Sequence, residues 1–123
     1  MPKILVADDS RFQVKLLSDA LHAKGYEVLT AGDALQAWTV ALRSAPDAIV
    51  LDINMPGGSG IEVLRRLRNS SKTQLIPVLV VSGNTEGGVE EVAKNLGAAE
   101  FLHKPIDTDE LCTTLSQLLS KDH

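Results

Sequence analysis

The chain of 123 residues has one cysteine, Cys112, which cannot close an internal disulfide and so points to a reducing interior. It also lacks any apolar run near the roughly 18 residues that a membrane-spanning helix needs. Met1-Pro2-Lys3 leads straight into an apolar segment, without the longer charged-then-apolar pattern of a signal peptide. An excess of positive charge is absent too: the net charge of −4 argues against a dedicated nucleic-acid binder. No linker, repeat or low-complexity stretch interrupts the chain. These absences predict one cytoplasmic domain spanning residues 1–123, with no membrane contact and a single core.

What is present is a set of short runs rich in Val, Ile and Leu: Ile4–Ala7, Ile49–Leu51, Val78–Val81 and Phe101-Leu102. They do not alternate, which is how parallel strands buried on both faces read. A weaker run, Tyr26–Ala31, alternates partly and predicts an edge strand. Helical patterns fill the gaps. Ser10 to Lys24 carries Val14, Leu17 and Leu21 on one face, with Ser10 and Gln13 at capping spacing and Gly25 as its stop. Asp33 with Gln36 opens a second helix, striped by Leu35, Trp38 and Leu42. Ser59 with Glu62 opens a third with Ile61, Leu64 and Leu67 inward. Val89, Val92, Ala93 and Leu96 mark a fourth, ended by Gly97. Asp107 with Glu110 opens a fifth, striped by Leu111, Leu115 and Leu118. Strand–helix repeated five times implies a parallel α/β sheet with helices on both faces.

The ends of the strand runs carry the chemistry. Asp8-Asp9, Asp52, Ser82 and Lys104 each follow or close a different run, and open α/β sheets bind their ligands at that edge. Three carboxylates brought together must take up protons or bind a cation, since two unit charges about 4 Å apart repel by roughly 4 kcal/mol at an effective dielectric of 20. Magnesium suits such an all-oxygen set best. Calcium would want an EF-hand-type spacing, and zinc finds His22, His103 and His123 scattered, with Cys112 inside a helix. Three carboxylates, one ammonium and one divalent ion sum to about zero formal charge, so a phosphoryl group can approach. Each feature also has an ordinary explanation: acidic residues before a helix, a polar strand end, a Ser-Gly turn, a Lys-Pro strand exit. The signal lies in all four falling at different strand ends.

Taken in order, Val6-Ala7-Asp8-Asp9-Ser10, Asp52-Ile53-Asn54-Met55-Pro56 with Gly60, Val80-Val81-Ser82-Gly83, and Leu96-Gly97-Ala98 with Phe101 and Lys104-Pro105 resemble the receiver domain of two-component response regulators, including the chemotaxis-regulator type. The resemblance covers nearly the whole chain. It implies a flavodoxin-like, doubly wound (βα)5 fold with strand order 2-1-3-4-5. It implies Asp52 as phosphoacceptor, Mg2+ held by Asp8, Asp9, Asp52 and the backbone carbonyl of Asn54, and Lys104 paired with a phosphoryl oxygen across a peptide bond to Pro105 that is often cis. The implied donor is a histidine kinase or phosphotransfer protein, and the implied chemistry is self-directed phosphotransfer and autodephosphorylation rather than enzyme turnover. The implied assembly is a monomer or a weak phosphorylation-dependent dimer.

The same resemblance implies a switch: the Ser82 hydroxyl moves to the phosphoryl group and Phe101 rotates into the released space. A charge-assisted hydrogen bond contributes about 1.5–3 kcal/mol and burial of an exposed Phe about as much, which only just reaches the roughly 5.5 kcal/mol of a full population shift. The usual output face carries Glu86, Glu90, Glu91, Glu100, Asp109 and Glu110 against Lys94, which points to a downstream protein or fused output domain rather than nucleic acid. Arg65, Arg68 and Lys72 read as one solvated helical face. Arg11 and Phe12 follow the acidic pair, where Phe12 either meets the kinase or packs in the core. Asn54 and Asn84 flank the site.

Two other functions fit less well. An aspartyl phosphatase of the haloacid-dehalogenase type wants a second acid where Asn54 stands, and a cap domain for which there is no room. A flavodoxin would meet its flavin phosphate with Asp8-Asp9, and Gly57-Gly58-Ser59-Gly60 follows the third strand rather than the first.

Overall fold

The computed structural model describes residues 1–55, 60–83 and 88–120. Among them, five strands alternate with five helices: β1 (Lys3–Ala7), α1 (Arg11–Ala23), β2 (Glu27–Ala31), α2 (Ala34–Ser44), β3 (Ala48–Asp52), α3 (Gly60–Arg68), β4 (Val78–Ser82), α4 (Val89–Asn95), β5 (Glu100–His103) and α5 (Thr108–Ser120). The strands form one sheet in the order β2-β1-β3-β4-β5, every neighbouring pair parallel. That is the flavodoxin-like order expected. β3 and β4 are buried along their whole length, whereas β2, on the edge, is half-exposed, which is why its sequence alternates.

Side-chain alternation divides the core into two layers. Leu5, Ala7, Ile49, Leu51, Val78, Val80 and Phe101 pack with α2, α3 and Ala93 of α4. Ile4, Val6, Ala48, Val50, Leu79 and Val81 pack with Leu17 and Leu21 of α1 and Leu111, Leu115 and Leu118 of α5. Cys112 is buried in the second layer. No helix among the described residues is long and apolar enough to cross a membrane.

The helix starts follow the sequence. Ser10 Oγ accepts from Gln13 N at 3.2 Å, Asp33 Oδ1 from Gln36 N at 2.8 Å, and Asp107 Oδ1 from Asp109 N at 2.9 Å. Gly25 and Gly97 take the left-handed conformations expected beyond α1 and α4, with φ of 90° and 95°. Ser59, expected to open α3, lies outside the described residues.

Two expectations fail in part on which face turns inward, and one open alternative is decided. α2 buries Ala34, Ala37 and Ala41, while Leu35 is 66% exposed. The two stripes have the same spacing and differ by one position, so periodicity cannot choose between them; the small alanines join the core layer, with Trp38 partly buried against it. In α4, Ala93 is buried and Val89 and Leu96 pack against the same layer as expected, while Val92 turns outward. Phe12 is 78% exposed, which settles its alternatives against core packing.

The basic stripe also dissolves. α3 ends at Arg68, so Lys72 stands in the turn beyond it. Arg65 pairs with Glu62, and the Arg66 guanidinium lies 5.2 Å from the centre of the Trp38 ring, a cation–π distance. Arg68 is not a solvated charge at all. It is half-buried, donates to the carbonyls of Gln74 and Ile76, and burial holds its guanidinium below the usual arginine range. Arg68→Ala is expected to cost about 2 kcal/mol by freeing these carbonyls, whereas Lys72→Ala stays within about 0.5 kcal/mol. Urea unfolding of the two variants compares them directly; equal midpoints would return Arg68 to the surface.

Candidate functional site

Each expected residue arrives at the site by a local device. Asp8 follows β1, with its N–H donated to the Ala31 carbonyl at 3.0 Å, which extends the β1–β2 pairing by one residue. Its Oδ1 accepts from Ser10 N at 2.9 Å, so the residue that caps α1 also orients Asp8. Asp9, the next residue, is exposed. The adjacent carboxylates therefore differ in environment, one sealed and one at the rim. Asp52 closes β3, and its Oδ1 accepts from Asn54 N at 3.1 Å. Ser82 closes β4 and is fully buried. Lys104 follows β5, its N–H donated to the Ser82 carbonyl at 2.9 Å, and the Lys104-Pro105 bond is cis, as expected.

These devices converge on one ammonium. Lys104 Nζ lies 3.2 Å from Asp52 Oδ2 and 3.2 Å from Asp8 Oδ2, and both carboxylates are only 3% exposed. Burial pushes the Asp52 carboxyl above the ordinary aspartate value; the Asn54 N–H opposes this, the Asp8 charge adds to it, and Lys104 opposes it. Burial by itself would lower the Lys104 ammonium, but attraction and hydrogen bonds from Asp52 and Asp8 outweigh it and leave it raised. Asp8, Asp9 and Asp52 each offer a carboxylate oxygen, all within 4.8 Å of one another. An all-oxygen, triply negative set balanced by one ammonium fits a hard divalent cation such as magnesium, and offers no nitrogen or sulfur for zinc.

Glycine at position 60 is demanded by this geometry. Its N–H donates to the Ile53 carbonyl at 2.8 Å, and a Cβ there would stand 2.5 Å from the Asp52 carbonyl oxygen and 2.6 Å from Ile53 Cα. The start of α3 is thus pressed against the end of β3. Beside Asp8 and Asp9 an open groove of about 400 Å3 runs past Arg11, Val14, Lys15 and Thr30 to Gly32, giving access to the acidic site from the α1 side.

Phe101 departs from expectation in position. It is already 7% exposed, packed in the first core layer, so this conformer has almost no aromatic area left to bury. The contribution expected from burying an exposed Phe does not exist here, because a ring without a hydroxyl gains nothing by reaching water. His103 shares a strand face with Phe101 on β5 and was not among the expected site residues. Its spacing of two from Phe101 was the available signal. Asn84 and Glu86 lie outside the described residues.

The sequence model of the family described as "Response regulator receiver domain" matches residues 4–116. The chain belongs to this family. The receiver is 42% identical over 105 residues to the response regulator PleD of Caulobacter vibrioides, covering 85% of the chain and 23% of PleD; it thus spans about a quarter of that relative. It is 32% identical to the protein PilH of Pseudomonas aeruginosa, over 98% of the chain and 99% of PilH. The receiver domain of the Pseudomonas aeruginosa sensor histidine kinase PA1611, solved with a magnesium ion coordinated in its active-site cleft, is 26% identical with a TM-score of 0.89, covering 97% of this receiver and 98% of that chain.

Proposed function

We propose that this receiver accepts a phosphoryl group on Asp52 from a histidine kinase or phosphotransfer protein and passes the signal through its α4–β5–α5 face. The observation that carries the reading is the buried Asp8–Lys104–Asp52 arrangement, with one ammonium equidistant from two sealed carboxylates. An Asp52 carboxylate oxygen attacks phosphorus, the new O–P bond forms as the P–N bond to the donor histidine breaks, and the imidazole leaves with the electron pair and takes a proton. Attack by water on the acyl phosphate later restores the carboxylate and releases phosphate. Lys104 shifts from the carboxylate pair to a phosphoryl oxygen, so its charge is used in both states. Asp8, Asp9, Asp52 and the Asn54 carbonyl would hold magnesium, which neutralises charge that would otherwise repel the incoming group. The bound magnesium in the related PA1611 receiver supports that assignment.

The reaction is self-directed, so the domain is not a turnover enzyme. Ser82 is the phosphoryl-sensing hydroxyl; Phe101 responds from an inward position, by locking rather than by fresh burial. The exposed Glu91, Glu100, Asp109 and Glu110 would repel a phosphate backbone, so the reader is a protein or a fused output domain. A cytoplasmic setting and a monomer, or a weak dimer formed on phosphorylation, complete the reading.

Incubation with acetyl phosphate and magnesium followed by intact-mass measurement tests it. One phosphoryl group should add to the wild type and none to Asp52→Asn. An unmodified wild type, or an adduct that survives in the variant, would overturn the assignment of Asp52.

A further inference from the structure

His103 has no part in the chemistry above. It closes β5, in register with Ser82 of β4, and is half-exposed on the same strand face as Phe101. Its ring packs edge-on against Phe101, with centroids 5.1 Å apart and planes at 62°. Nε2 lies 3.4 Å from Glu90 Oε1 in the first turn of α4, and Glu90 Oε2 accepts from Lys94 Nζ at 3.0 Å. A line of contacts therefore runs from α4 through an imidazole to the aromatic ring. α4 itself is short, with Ala93 buried, Val89 partly buried against the same core layer and no side-chain cap at Gly88, so its hold on the sheet rests on few residues.

We propose that His103 and Glu90 form a protonation-sensitive latch that ties α4 to β5 and steadies the inward position of Phe101. Lys94 first, and then His103, hold the Glu90 carboxyl below the ordinary glutamate range, so Glu90 is charged throughout the range in which histidines titrate. Protonated, the imidazole makes an ion pair with Glu90 while its edge covers Phe101; neutral, it keeps at most a hydrogen bond and α4 loosens. Among the described residues, the charged groups facing the imidazole are Glu90 and, through it, Lys94, both on α4. Its neighbour on β4 is the uncharged Ser82, and Lys104, next in the chain, turns its ammonium to Asp8 and Asp52. The meaning of the latch rests on the receiver reading, in which Phe101 is the switch residue: acid would favour the locked output face, and by linkage that face would favour the protonated imidazole.

NMR titration of the labelled full chain between pH 5 and 8, without any phosphodonor, tests the latch separately from that reading. In Glu90→Gln the response of the Ala93 amide and the Phe101 ring to pH should be lost, because the carboxylate that pairs with the imidazole is gone. Phe101 ring and Ala93 amide signals should follow the His103 curve in the wild type and stay flat with pH in His103→Phe, which keeps a ring but no charge. Ala93 and Phe101 signals that follow pH equally in the wild type and in Glu90→Gln, or Phe101 signals indifferent to His103 protonation, would overturn the proposal. A chain that fails to take a phosphoryl group would leave these titrations readable and refute only the phosphoacceptor reading.

Discussion

Lys104→Met should lose about 2–3 kcal/mol of folding stability at neutral pH in the presence of a chelator. Removing one partner of a buried ionic group typically costs 3–5 kcal/mol because the other is left uncompensated, and the Lys104 side chain, at 28% exposure, retains enough water contact to lower that figure. The loss has a definite pH signature. Burial already raises the Asp52 carboxyl above its ordinary value, against the Asn54 N–H and Lys104, and with the Asp8 charge. A carboxyl whose folded pKa is raised favours folding while protonated, and that contribution disappears as pH climbs from the ordinary value, about 3.9, through the folded one. Without Lys104 the folded value rises further and the disappearance is larger. The gap between wild type and variant should therefore open as pH rises above the ordinary aspartate value and close below it, once Asp52 takes its proton.

Urea midpoints for both proteins from pH 3.5 to 8 measure that gap. A gap that does not change with pH would mean that Lys104 acts by packing its stem rather than by its charge. Added magnesium should narrow the gap at pH 7, since an ion that binds the folded site stabilises it by mass action and neutralises the same carboxylates.

Gly60→Ala should be comparably damaging for an unrelated reason. The added Cβ would meet backbone atoms, the Asp52 carbonyl oxygen at 2.5 Å and Ile53 Cα at 2.6 Å, and neither can swing aside as a flexible side chain would. Overpacking of this kind costs typically 1–3 kcal/mol, a fall in Tm of roughly 10 °C for a domain of this size. The strain falls on the strand end that presents Asp52, so phosphoryl uptake from acetyl phosphate should slow as well. Gly83→Ala is the matched comparison: its Cβ would come no nearer than 3.9 Å to Lys104 Cβ, an ordinary contact, and its Tm should stay close to wild type. Equal melting of the two variants would show that α3 can retreat from β3 without loss.

Much of this domain is written locally. Runs such as Ile4–Ala7 and Val78–Val81 specify strands buried on both faces, and Ser10, Asp33 and Asp107 specify helix starts, because pleat, helical period and capping depend on residues a few positions apart. That Asp8, Asp9, Asp52, Ser82 and Lys104 lie at strand ends was legible because a parallel sheet gathers its strand ends at one edge. Other features are silent at that range. Whether Leu35 or Ala34 faces the core turns on how near α2 lies to the sheet, which the shared spacing of the two stripes does not record. Arg68 reads as a solvated charge until the turn after α3 brings two carbonyls to it.

Phe101 reads as a ring waiting to move inward until the packing of β5 shows it there already, with His103 and Glu90 beside it. The sharing of Lys104 between Asp8 and Asp52, 52 residues from the nearer of the two, belongs to the same class. Sequence alone determined the elements and which polar residues close them, because both follow from near neighbours. The tertiary structure decided which faces close, which charges pair and where the Phe101 ring rests, because those depend on distances between segments that meet only when the sheet is assembled.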